Sequence, residues 1–223
     1  MFKKVLTRSD YLLIAANLLP VAGVWLWNLS PKEVFLVYCL ETVIIGLFTL
    51  VKMGIVSLTR KTDIWYNGPS GTSQHGIFFM LFFILHYGIF VGVQMGIFFG
   101  VSGIGKGSNI NVFNFFYKWP QLINDDSLAM LGAFVFVYGY KMVVDFILSR
   151  QYRTIPMMLL MFQPYGRIFI QQITVILGSM FLVFGAGKIF ILIFAIIKIC
   201  FELFINYDGL MDKALNDMKN SEK

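Results

Sequence analysis

Six stretches of the chain are apolar for long enough to cross a bilayer, near residues 11–29, 34–58, 77–101, 128–148, 168–184 and 189–205. At about 1.5 Å per residue, a helix needs about 20 residues to cross the hydrocarbon layer. The pattern therefore predicts an all-α polytopic membrane helix bundle with about six transmembrane helices, folded as one domain over residues 1–223. The third stretch is the most distinctive. Glycine recurs at every fourth position, Gly88, Gly92, Gly96 and Gly100, while His86 and Gln94 lie on other parts of the same helix. On a wheel of about 100° per residue the glycines cover an arc of roughly 120°, and the two polar residues fall outside it. This helix is expected near the centre of the bundle, with glycines for close helix packing and polar groups turned from lipid.

Composition agrees with the pattern: 58% of residues are hydrophobic, 13% are charged, and mean hydropathy is +0.75. The formal net charge of +6 is distributed asymmetrically along the chain. In a six-span arrangement Lys3, Lys4, Arg8, Arg60, Lys61, Arg150, Arg153, Lys213, Lys219 and Lys223 share one side, and Lys32, Lys106, Lys118 and Lys188 the other. The excess of basic residues on one side is expected to hold both termini in the cytoplasm, with the protein in the cell membrane. Topology and anionic lipid account for the charge, so the expected partner is the bilayer and no nucleic acid is implied. The lysine-bearing start is read as leading into an uncleaved first helix. Cys39 and Cys200 lie in different spans without paired spacing, which argues against a disulfide or a thiolate zinc site.

Among the connections, the aromatic and amide residues of Asn111–Pro120 predict a short helix in the outer headgroup layer, with an aromatic lid as the alternative. Trp65-Tyr66-Asn67-Gly68-Pro69 predicts a turn with an interfacial anchor. Before the fifth span, Pro164 and Gly166 are expected to kink or break the chain. The methionines at Met157, Met158 and Met161 read as apolar filler in preference to soft-metal ligands.

Ionisable side chains within the spans carry the candidate chemistry, because a charge at bilayer depth costs a few kcal/mol or more. Glu41, His86 and Lys198 fall near the predicted midplane and, with Gln94, form a candidate ligand-binding or proton-relay group. Lys141, Asp145, Arg167, Gln171, Gln172 and Glu202 form a candidate inner polar layer, and Lys52 snorkels to the cytoplasmic surface. Spacing of four residues pairs Lys141 with Asp145 and Lys198 with Glu202 on their own helices. A neutral network of this kind can serve helix register alone. Glu41 and His86 have no charged partner within a turn, so together they can share a proton or ligate a metal.

Enzyme signatures are weak. Gly100-Val101-Ser102-Gly103 matches the pattern of rhomboid proteases, but both histidines, His75 and His86, precede the serine and the motif closes a span instead of opening one. No H-E-x-x-H motif, no paired aspartates at a span and no P-loop are present, and no motif specifies a cofactor.

Tyr38-Cys39-Leu40-Glu41, His86-Tyr87-Gly88-Ile89-Phe90 and Pro164-Tyr165-Gly166-Arg167-Ile168 resemble an uncharacterised family of prokaryotic multi-pass membrane proteins, domain of unknown function 6498. The resemblance implies the span order and draws attention to Glu41, His86 and Arg167. It also implies histidines where this chain has Gln94 and Gln172, and glutamine is a poor transition-metal ligand.

The leading expectation is a small permease-like or ligand-binding membrane protein with a polar midplane site. The alternatives are a membrane-embedded metal or haem enzyme ligated by His86 and Glu41, and a structural subunit. The glycine face of the third helix would dock a partner helix or a second copy in a homo-oligomer.

Overall fold

The computed structural model describes residues 7–67, 70–103, 110, 114–204, 213 and 217, with side chains omitted at some positions within the helices. The chain is mostly helical. Six long helices are α1 (Arg8–Leu26), α2 (Pro31–Thr59), α3 (Gly76–Ser102), α5 (Asp125–Lys141), α7 (Tyr165–Val183) and α8 (Gly187–Phe204). Two short ones, α4 (Phe115–Lys118) and α6 (Met157–Phe162), lie in the connections. Among the described residues four helices are long and apolar enough to cross a membrane: Arg8–Leu26, Pro31–Thr59, Gly76–Gly100 and Asp125–Leu148.

The helix ends follow from local chemistry. Thr7 caps α1 in a reciprocal box, its side chain accepting from the Asp10 amide while Asp10 accepts from the Thr7 amide at 3.0 Å. Pro31 opens α2, where a missing N–H costs nothing, and Asn124 caps α5 by accepting from the Ser127 amide at 2.8 Å. Beyond Lys141 the α5 axis continues as a π-helix over Met142–Leu148. The turn between α7 and α8 uses Gly185 at φ +75°, a conformation that a side chain disfavours.

The connection from α2 to α3 departs from the expected turn. It forms an antiparallel hairpin of β1 (Thr62–Asn67) and β2 (Ser70–His75), running in register from Thr62 opposite His75 to Asn67 opposite Ser70. The all-α expectation is corrected to this extent. Trp65, expected as a membrane-interface anchor, packs on the rings of Phe78, Phe79 and Phe82 at 5.4, 5.6 and 5.2 Å. Asp63 accepts the Met157 amide at 3.0 Å and pairs with Arg60 at 3.3 Å, tying the hairpin to the start of α6. Met157, Met158 and Met161 of α6 are buried in the core. Pro164 separates α6 from α7, where the sequence anticipated a break.

α2 is the central element, packed against α1, α3, α5, α6, α7 and α8. Every residue from Val34 to Thr42 is buried. α3 uses one face. Phe79, Phe83, Tyr87, Val91, Gln94, Met95 and Phe98 are buried, while Leu81, Leu85, Ile89 and Val93 are exposed. The glycines belong to the open side: a Cβ built at Gly88, Gly92, Gly96 or Gly100 meets nothing within 4 Å. Among the described residues, then, no close helix contact within the chain is shown at these glycines. Close approach falls instead at Gly46, where a Cβ would come within 2.6 Å of the Tyr87 ring, and at Gly23, within 2.3 Å of Met130. The predicted headgroup-layer segment contains α4 and a 3₁₀ turn at Trp119–Leu122, and Phe115 is buried against Phe99 at 5.1 Å. Its residues 111–113 lie outside the described residues.

Candidate functional site

Glu41 sits in the middle of the continuous buried run of α2 and is 0% exposed. Lys198 reaches it from α8 and forms an ion pair with one carboxylate oxygen. The Tyr138 hydroxyl of α5 donates to the other oxygen at 2.6 Å. Two opposite charges and a phenol thus close around a point where water is excluded. An isolated charge there would be prohibitive, and the pair satisfies both members. The Lys198 ammonium also lies 5.0 Å from the centres of both the Tyr38 and Phe134 rings, whose faces attract a cation.

Further polar contacts hold these rings and helices in position. Tyr38 stands edge-on to Phe194 at 4.6 Å, and its hydroxyl donates to the Asn17 carbonyl at 2.8 Å. Pro20 lacks the N–H that would bond the Ala16 carbonyl, so this turn of α1 is already loosened where Tyr38 docks. The Gln171 side chain of α7 donates to the Tyr38 carbonyl. Arg167, on the first turn of α7, places its guanidinium 5.7 Å from the Tyr138 ring centre. Five helices, α1, α2, α5, α7 and α8, therefore converge on one buried charge centre.

His86 belongs to a second group. Its Nδ1 makes a hydrogen bond of 2.9 Å with the Tyr165 hydroxyl at the start of α7, and the two half-buried rings lie among Phe82 and Phe90. Tyr87 joins the groups: its ring lies 6.0 Å from Tyr165, and its hydroxyl donates to the Thr42 carbonyl, next to Glu41, at 2.8 Å. Among the described residues no hydrogen bond or ion pair links His86 to Glu41. No three side chains of the His, Cys, Asp and Glu types come together there as a metal cluster. Gln94 is fully buried beside the Cys39 thiol, and neither its oxygen nor its nitrogen meets a hydrogen-bonding partner of good geometry.

The same-helix pairings read from spacing give way to contacts across helices. Lys198 bonds Glu41 of α2, and the side chain of Glu202, its expected same-helix partner, lies outside the described residues. Lys141 pairs with Asp10 of α1 at 3.5 Å, while Asp145 is exposed and has no side-chain partner among the described residues. The π-helical turn that begins after Lys141 changes the angular relation on which a four-residue pairing depends. Gln171 is buried in the centre, Gln172 is half-buried with its Oε1 unpartnered, and Lys52 lies 5.5 Å over the Phe146 ring.

Asp10, Tyr38 and Tyr138 were not among the residues selected from sequence. Thr7-Arg8-Ser9-Asp10 is a capping-box pattern that signals Asp10, whereas a tyrosine in an aromatic-rich span carries no local mark of hydrogen bonding.

Four helices long and apolar enough to cross a membrane, around a buried ion pair, suggest a membrane location for this mostly helical chain. The chain belongs to DUF6498, a family of unknown function whose profile spans residues 2–222. No curated protein and no solved structure matches it.

Proposed function

We propose that the protein is a six-span membrane protein, with both termini in the cytoplasm, that binds or passes a small polar or ionic solute at the Glu41–Lys198 centre. The observation that carries this reading is a fully buried carboxylate whose partners Lys198 and Tyr138 come from different helices. A pair confined to one helix would move as a unit, whereas separation of α2 from α8 would expose both charges to a solute. Arg167, Gln171 and Lys141 surround the route as partners for exchange, with His86 and Tyr165 as a second hydrogen-bonding step. Asp145, Gln172 and Glu202 extend the polar layer toward the cytoplasm in this reading.

The test uses purified protein in liposomes containing a pH-sensitive dye, challenged with separate panels of amino acids, organic cations and organic anions. Flux of at least one class is expected, with loss in Glu41→Gln while the variant remains monodisperse. The reading fails if no panel member moves, or if a moving solute is carried equally well by Glu41→Gln.

A further inference from the structure

The end of the bundle away from the hairpin contains a recess between α1 and α5 that the charge centre does not use. It has a volume of about 360 Å³ and is lined by Leu19, Trp27, Asp126, Ala129 and Met130. Its form follows from close packing one turn below. Gly23 has no side chain, and the Met130 methyl fills the space that a Cβ would occupy, drawing α5 against α1. The chain leaving α1 places Trp27 on one wall.

The lining combines three chemistries. Trp27 is 54% exposed and presents an indole. Asp126 is exposed, lies in the first turn of α5 beside Asp125, and has no hydrogen bond or ion pair among the described residues. Leu19, Ala129 and Met130 supply an apolar floor. An indole attracts an organic cation through its ring face, and a carboxylate attracts it through charge. An inorganic cation would use the carboxylate but gain nothing from the floor. An anion would meet the Asp126 carboxylate, with Asp125 next to it in the first turn, and this charge outweighs the partial positive charge of the helix end.

We propose that this recess binds an organic ammonium group attached to an apolar portion, with Asp126 and Trp27 holding the ammonium and Leu19 and Met130 the attached carbon chain. Interfacial tryptophan and the adjoining apolar helix surface suit the headgroup of an amine-bearing phospholipid, and a free amphiphilic amine offers the same chemistry. The site is separate from the Glu41 centre, and its occupancy does not depend on solute transport.

Native mass spectrometry of the full chain in maltoside micelles supplies the test, with short-chain phosphatidylethanolamine, phosphatidylcholine and phosphatidylglycerol added singly. The two ammonium lipids are expected to bind at least 10-fold more tightly than phosphatidylglycerol. Asp126→Asn and Trp27→Ala should each remove most of that preference without altering the melting temperature appreciably. N-acetylation of phosphatidylethanolamine, which neutralises the amine, provides a check on wild-type protein alone and should weaken binding to the phosphatidylglycerol level. Titration with decylamine distinguishes the sources: binding comparable to that of the lipids identifies the amine and its tail as sufficient, and much weaker binding identifies a lipid. Equal retention of all three lipids, or a preference unchanged in both variants, overturns the proposal.

Discussion

Glu41 and His86 stand on adjoining helices, and their surroundings differ in kind. The carboxylate is fully enclosed, with an ammonium and a phenol as partners from α8 and α5. The imidazole is half-buried, bonded to one tyrosine and otherwise surrounded by rings. The first region concentrates charge where solvent is absent, so removing Lys198 or Glu41 unbalances a buried ion pair. The second exchanges neutral hydrogen bonds and ring contacts, whose loss is modest. Both touch the α2–α3 interface through Tyr87, yet stability should depend on them very unequally.

The largest effect is expected from Lys198→Met, which takes the ammonium from beside the buried Glu41 carboxylate and should destabilise the protein by about 3–5 kcal/mol in thermal or denaturant unfolding. Glu41→Leu combined with Lys198→Leu should recover most of that loss, because neither charge of the pair remains. A single variant as stable as wild type would remove the contrast between the two regions.

Gln94→Leu tests the interface between them from the opposite direction. Two buried polar atoms without partners of good geometry are removed, so the melting temperature should rise, corresponding to about 1–3 kcal/mol. A fall would show that the amide is hydrogen-bonded in the membrane, and hydrogen exchange on α3 would locate the change.

Tyr165→Phe keeps the ring packing and deletes the hydroxyl bonded to His86, with an expected cost of about 0.5–1.5 kcal/mol. The His86 side-chain NMR resonances should shift in parallel. A cost equal to that of Lys198→Met would place the imidazole in the charge centre.

Gly92→Ala should change monomer stability least, by about 1 kcal/mol at most and toward stabilisation, since the added methyl meets open space and favours helix. A loss of stability accompanied by a smaller species in size-exclusion chromatography would reveal a second copy seated on the glycine face.

Much of the helical frame was legible because span length and apolar content are local properties. The predicted 34–58 and 77–101 stretches correspond to Pro31–Thr59 and Gly76–Ser102. The hairpin was missed although Thr62, Ile64, Trp65 and Tyr66 are strand-favouring residue types, because its short arms between two spans read equally well as a loop. Glu41 and Lys198 were legible as buried charges, but their pairing was not. Four-residue spacing describes only neighbours on one helix, and nothing local records that α8 packs beside α2.

The sequence by itself determined the apolar helices, their capped ends and the presence of ionisable residues too costly to expose to lipid. Tertiary structure alone decided that Lys198 meets Glu41 and that Lys141 meets Asp10. These outcomes depend on the rotation and adjacency of whole helices, which close packing at positions such as Gly46 and Gly23 selects and helical periodicity leaves open.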